Sequence, residues 1–79
     1  MNFPRWFQHT KPPSSDCLLV RHDDEQSNCI VITKDGRERA PNADEWPLGL
    51  SLLMVGMGNA VERTPSEVNR IMQETRTPL

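Results

Sequence analysis

The chain has 79 residues, of which 35% are hydrophobic and 25% are charged, and eleven acidic against nine basic residues give a formal net charge of −2. This length suffices for one domain with a modest core, and the composition excludes a wholly disordered chain. The balanced charge does not by itself indicate nucleic acid or an anionic membrane as a partner. We therefore expect a single small domain spanning residues 1–79.

The compartment is predicted from the cysteines and from the apolar segments. Cys17 and Cys29 are the only cysteines, whereas a secreted domain of this size usually carries several disulfides. The first residues do not form a signal peptide. The longest apolar run, residues 46–61, is too short to span a bilayer. We therefore expect a cytoplasmic protein without a membrane partner.

Residues 1–16 are predicted to form a short aromatic N-terminal arm. Phe3, Trp6 and Phe7 have the spacing of one side of a helical turn, and a break that begins with two prolines follows at residues 12–15. The arm is expected to cap an open core. The alternative is that the same aromatics anchor the chain on a membrane or on a partner.

Residues 17–40 are predicted to form a three-stranded antiparallel meander, with strand-like runs at 17–22, 29–34 and 37–40. Asp35-Gly36 favours a type I′ hairpin turn, in which both central residues have positive φ. That turn pairs Lys34 with Arg37. Further along the same ladder it pairs Ile32 with Arg39.

The middle strand is apolar on both faces. Ile30 and Ile32 point to one side, and Cys29 and Val31 point to the other. A strand of this kind requires cover on both faces. We expect a helix on one side, and either the N-terminal arm or a second molecule on the other.

Two helices are predicted in residues 44–76, giving a β-β-β-α-α order and an α+β fold class. The first covers Trp46–Val61, is capped by Asn42 or Asp44, and is apolar nearly all round. The second begins at a capping box, Thr64 to Glu67, and places Val68, Ile71 and Met72 on one face.

Small residues in the first helix suggest a close contact. Gly49, Gly56 and Ala60 form a smooth stripe that lets another backbone approach. The stripe either packs on the sheet of its own chain or makes a homodimer contact. A third interpretation is that the segment around Gly56 and Gly58 breaks the helix.

No catalytic, cofactor-binding or metal-binding residues are predicted, and we expect no enzyme and no cofactor. His9, Cys17, His22 and Cys29 lack the close ligand spacing of a zinc site. His22 beside Cys29 resembles a base and a thiol, but no third group orients the imidazole. We expect an exposed histidine at a strand end and two buried thiols.

The predicted function is a non-catalytic protein-binding module that acts as an adaptor or inhibitor of a larger intracellular complex. Small α+β proteins of this type are typical of phage and plasmid accessory genes, including inhibitors of host defence. The partner is a larger protein, a second copy in a homodimer, or both. The residues expected to contact it are Trp6, Phe7, Gly49, Leu52, Gly56 and Ala60.

The alternative is a small nucleic-acid-binding regulator, because several basic residues lie near the hairpin tip and the last helix. The residues of this hypothesis are Lys34, Arg37, Arg39, Arg63 and Arg70.

Overall fold

The structure of the protein, a computed structural model, describes residues 3–11, 15–25 and 28–76. Residues 12–14 of the predicted break and the chain end at 77–79 lie outside these ranges. The elements are β1 (Arg5–His9), β2 (Cys17–His22), β3 (Cys29–Thr33), β4 (Glu38–Arg39), α1 (Leu48–Gly56), β5 (Ala60–Arg63) and α2 (Pro65–Arg76). The strands form one five-stranded antiparallel sheet with the order β4-β3-β2-β1-β5. The α+β class is confirmed, and the predicted meander is one part of this larger sheet.

The N-terminal arm is a strand and not a helical turn, so this prediction is wrong. β1 lies inside the sheet, with Phe7 opposite Val20 of β2 on one side and opposite Glu62 of β5 on the other. An interior strand forms ladder hydrogen bonds on both sides, which outweighs the helical spacing of the aromatics. As a result, Trp6 and Phe7 point to opposite faces of the sheet.

The hairpin between β3 and β4 differs from the predicted one by one residue. Gly36 has a φ of 84°, and Gly58 is the only other described residue with a positive φ. The φ of Asp35 is therefore negative, which excludes a type I′ turn. Instead, the Gly36 amide donates to the Thr33 carbonyl, and the Thr33 amide donates to the Arg37 carbonyl. This is a type I turn followed by a left-handed glycine. The register therefore pairs Ile32 with Glu38, and not with Arg39.

The two faces of the central strands are covered by different helices. One face, which we call the α1 face, buries Cys17, Val20, Cys29 and Val31. The opposite face, the α2 face, packs Leu19 and Ile32 against Val68, with Ile71 and Met72 beside them. The two-sided apolar character of β3 is thus explained by two helices, and α2 takes the position predicted for the N-terminal arm or a second molecule.

The first helix is shorter than predicted. α1 begins after Pro47, which is its N-cap, and neither Asn42 nor Asp44 caps it. It ends at Gly56 because Gly58, with a φ of 77°, reverses the chain direction. Residues 60–63 then form β5, so the predicted helical region contains a strand. The interpretation that the glycines break the helix is correct.

The second helix begins as predicted. The Glu67 amide donates to Thr64 Oγ1 at 3.2 Å, and the Thr64 amide donates to Glu67 Oε1 at 2.9 Å. These two bonds satisfy donors that the helix itself leaves unpaired. Neither helix in the described ranges has the length and apolar character needed to cross a membrane.

The hairpin glycine provides a test of the turn. Replacing Gly36 with valine should lower the free energy of unfolding by about 1 kcal/mol or more, because a β-branched residue is strained at positive φ. Chemical denaturation measures this loss. Gly36→Asn is the matched control and should lose much less, because asparagine tolerates the left-handed region. Equal stability of the valine variant and the wild-type chain would contradict the turn.

Candidate partner-binding site

The site is built on α1, which lies on the sheet with one side only. Leu48 and Ser51 are its buried residues. Ser51 Oγ and His22 Nε2 of β2 lie 2.7 Å apart and are hydrogen-bonded, which fixes the middle of the helix to the sheet. This bond also corrects the prediction that His22 is exposed, because only 1% of the residue is accessible.

The opposite side of α1 is apolar and accessible to solvent. Leu52, Leu53 and Met57 are 42%, 55% and 60% exposed. Trp46 precedes the helix and is 41% exposed. No charged residue occurs between Trp46 and Val61. We call the set formed by Trp46, Gly49, Leu52, Leu53, Gly56 and Met57 the α1 outer surface.

The predicted stripe of small residues is divided between two environments. A Cβ atom at Gly49 or at Gly56 would meet no atom within 4 Å, so both glycines open to solvent and do not pack on the sheet. Ala60 lies in β5 and is 3% exposed. The α1 outer surface is therefore flat at its glycines, and Ala60 is not part of it.

Two further residues that were predicted to contact a partner, Phe7 and Trp6, pack within the chain instead. Phe7 is fully buried on the α1 face, where its ring meets His22 edge-on at 5.5 Å between centroids. It is therefore inaccessible to a partner. Trp6 is half-buried on the α2 face, and the Arg21 guanidinium lies 5.7 Å from its ring centroid.

The sequence-based prediction included Leu52 but missed Leu53, Met57 and Trp46. A signal for them was present in the sequence. A run of sixteen positions without charge, Trp46–Val61, is wider than the one side that a surface helix normally buries. Part of such a run must remain exposed when the helix covers only one sheet face.

A polar layer of thiols, histidines and the Glu45 carboxylate lies on the α1 face of the sheet. Burial, together with the nearby Glu45 charge, raises the pKa of the Cys17 thiol to about 12 and that of the Cys29 thiol to about 11. Both thiols are therefore protonated at neutral pH and are poor nucleophiles. Among the residues that the structure describes, no three His, Cys, Asp or Glu side chains are grouped to hold a metal ion.

Two histidines of this layer are held neutral. Burial lowers the pKa of His9, an effect that the Glu45 charge partly opposes. Burial is also the largest cause that lowers the pKa of His22. A proton on His9 and the positive charge of Arg5 lower this pKa further, whereas the Asp23 charge raises it. Neither ring nitrogen of His9 has a hydrogen-bond partner within the described part of the chain.

Glu45 anchors the segment that leads into α1. Its side chain is completely buried and accepts from Arg39 Nη1 at 2.8 Å and from Arg39 Nη2 at 2.9 Å. It also accepts from the Asn42 amide at 2.7 Å. Arg39 in turn donates to both carboxylate oxygens of Asp16, which lowers the pKa of that carboxyl. The register shift of the hairpin makes this possible, because it places Arg39 opposite Val31 on the α1 face.

The basic residues of the nucleic-acid hypothesis do not form one surface. Arg37 and Arg39 lie at the β4 edge of the sheet, and Arg63 lies on β5 at the opposite edge. Each of these is engaged within the chain: Arg37 pairs with Asp35, Arg39 with Glu45, and Arg63 with Glu67. Lys34 is on the β3–β4 hairpin and Arg70 is on α2.

The clefts found in the described residues are shallow and open to solvent. One of about 300 Å³ lies between α2 and the β1–β5 pair, lined by Gln8, Arg63, Glu67, Arg70, Ile71 and Glu74. Arg63 bridges Gln8 and Glu67 across it. These contacts give the side chains a structural role, and the site with the most exposed apolar surface remains the α1 outer surface.

Comparison with known proteins gave no match: no family model fits the chain, and no curated protein or solved structure is significantly similar to it.

The buried histidines predict a loss of stability in mild acid. Both pKa values lie below the usual 6.5, so the unfolded chain binds protons that the folded chain does not. Stability should be full above about pH 6.5 and fall as the pH decreases from there. Chemical denaturation at about pH 7.5 and pH 5.5 measures this before Asp and Glu titrate. His9→Leu should reduce the difference, and an unchanged difference would contradict the assignment of His9.

The Arg39–Glu45 pair predicts a second stability effect. Arg39→Ala should lower the free energy of unfolding by about 3 kcal/mol, because it leaves the buried Glu45 carboxylate without its partner. Arg37→Ala is the control, since its ion pair is exposed and should contribute less than about 1 kcal/mol. Thermal or urea denaturation distinguishes the two. Equal losses in both variants would mean that Glu45 does not depend on Arg39.

Proposed function

We propose that the protein is a non-catalytic binding module whose α1 outer surface docks into an apolar groove of a larger protein. The observation that carries this proposal is the exposure of Leu52, Leu53 and Met57 on a helix without any charged side chain. In this role the chain acts as an adaptor or an inhibitor of an intracellular complex, as small accessory proteins of phages and plasmids do.

Burial of the exposed side chains of this surface would contribute to recognition, in addition to the other contacts that a groove makes. Full burial of a leucine or methionine side chain contributes about 1.5–3 kcal/mol, so burying the exposed halves of three such side chains contributes about 2–4 kcal/mol. The fold does not require them, because Leu48 and Ser51 already hold α1 on the sheet. Contiguous exposed apolar patches on monomers commonly mark interaction sites.

The size of α1 favours a larger partner with a concave surface. A helix from Leu48 to Gly56 is about 13 Å long, and one flat side of it covers much less than the ~800 Å² per partner of a standard interface. Two copies that met only through α1 would bury little. A groove contacts a helix on several sides, and it can also receive Trp46 next to the first turn.

The proposal is tested by introducing charged residues at the exposed positions of α1. The double variant Leu53→Glu, Met57→Glu places carboxylates on the docking surface without changing a buried residue. Affinity capture from lysates of the cells that produce the chain should lose the bound protein by tenfold or more, about 1.4 kcal/mol. Circular dichroism should show that the variant remains folded.

The matched control places the same number of new acids on the hairpin tip. Lys34→Glu with Arg37→Glu should retain binding, and the wild-type complex should persist at high salt. Arg39 is left intact because it holds Glu45. If the hairpin variant loses the captured material, the helix variant keeps it, and that material is nucleic acid, the alternative function is the better one.

A further inference from the structure

The sheet has one edge that remains available for pairing. β5 is its outermost strand on one side, and within the described residues no strand lies beyond it. The other edge, β4, has only two residues. β5 has four residues and contains neither lysine nor proline, and its two charged side chains, Glu62 and Arg63, are both paired within the chain.

The outward-facing backbone groups of β5 follow from its pairing with β1. The Thr10 amide donates to the Asn59 carbonyl at 2.9 Å, which makes this a hydrogen-bonded pair. Such pairs alternate along an antiparallel ladder, so Val61 opposite Gln8 and Arg63 opposite Trp6 also bond inward. Ala60 and Glu62 therefore direct their N–H and C=O groups to the open edge.

The side chains of β5 do not prevent a further strand from pairing with its open edge. Arg5 donates two hydrogen bonds to the Glu62 carboxylate, at 2.9 and 2.7 Å, and lowers its pKa. Arg63 is paired with Glu67 on the α2 face. Val61, which precedes both charged residues of the strand, is 41% exposed. The edge thus presents an apolar side chain followed by charges that are neutralised within the chain.

We propose that β5 pairs with β5 of a second copy of this chain, antiparallel and about a two-fold axis at Val61. In this register Ala60 of each copy lies opposite Glu62 of the other, and both pairs exchange their two outward backbone hydrogen bonds. The two Val61 side chains meet at the axis as a non-hydrogen-bonded pair, where side chains are closest.

Charge selects this register over its neighbours. Moving the axis to Glu62 would place the two Glu62 side chains directly opposite each other, a like-charge pair that destabilises a ladder. Moving it to Ala60 would bring Gly58, which has a φ of 77°, opposite Glu62. That residue is not extended and cannot continue the ladder. The Val61 register avoids both.

The dimer goes beyond the proposed function, because it uses a different surface and a different partner. β5 is short, so the contact belongs with small, weak and transient interfaces. Both α1 helices would lie on the same face of the joined sheet. One dimer would then present two docking surfaces on the same side.

Sedimentation equilibrium of the full chain at about 0.1–1 mM, where a contact of this size is populated, tests the association. The wild-type chain should dimerise. Val61→Lys should weaken the dimer tenfold or more, since it brings two like charges together at the axis. Leu53→Glu should leave it unchanged. A wild-type chain that stays monomeric, or a Val61→Lys chain that dimerises as strongly as the wild type, would overturn the proposal.

Disulfide trapping tests the register. Cα atoms of a non-hydrogen-bonded antiparallel pair are about 4.5 Å apart, within the range of a disulfide. Under mild oxidation the Val61→Cys variant should form a covalent dimer at least tenfold faster than the Leu53→Cys variant, although Leu53 is the more exposed position. Cys17 and Cys29 are buried and do not compete. Faster trapping at Leu53 would place self-association on α1 and overturn the edge dimer. The capture experiment on the α1 outer surface is a separate measurement, so either proposal can fail without the other.

Discussion

The structure depends on the pairing of β2 with β3, because these strands are apolar on both faces. Val20 and Val31 are fully buried on the α1 face, and Leu19 and Ile32 are buried on the α2 face. A short chain has to cover both sides of this pair without the large core of a longer domain. It does so with one helix on each face of the sheet.

The two helices meet this requirement in different ways. α2 is amphipathic and directs Val68, Ile71 and Met72 to the sheet, with charged residues on its other side. α1 is apolar on nearly all sides but contacts the sheet through one side, where Ser51 and His22 are hydrogen-bonded to each other. Packing on the sheet accounts for the apolar residues on the inner side of α1. It does not account for the apolar residues on the outer side. That difference is the physical basis for proposing that a partner binds α1 and not α2.

The features that the sequence predicted correctly are those encoded within a few residues. The capping box of Thr64 and Glu67 and the positive φ of Gly36 each depend on a local segment. The features that it did not predict depend on distant partners. β1 is a strand because β2 and β5 flank it, and His22 is buried because Ser51 reaches it. The position of Arg39 depended on a shift of one residue in the hairpin, which decides the face on which a side chain lies.

The pairing of β1 with β5 also affects the order in which contacts between strands form during synthesis of the chain. The ion pair of Arg5 with Glu62 joins positions 57 residues apart, so the first strand and the last strand are close in space but far apart in sequence. Contacts of such high sequence separation form late, after hairpins such as β2–β3. While the chain emerges from the ribosome, β1 has only β2 as a neighbour, and its other edge stays exposed until β5 is made. Premature release or truncation before residue 60 would therefore leave an aromatic strand without cover, a species prone to aggregation.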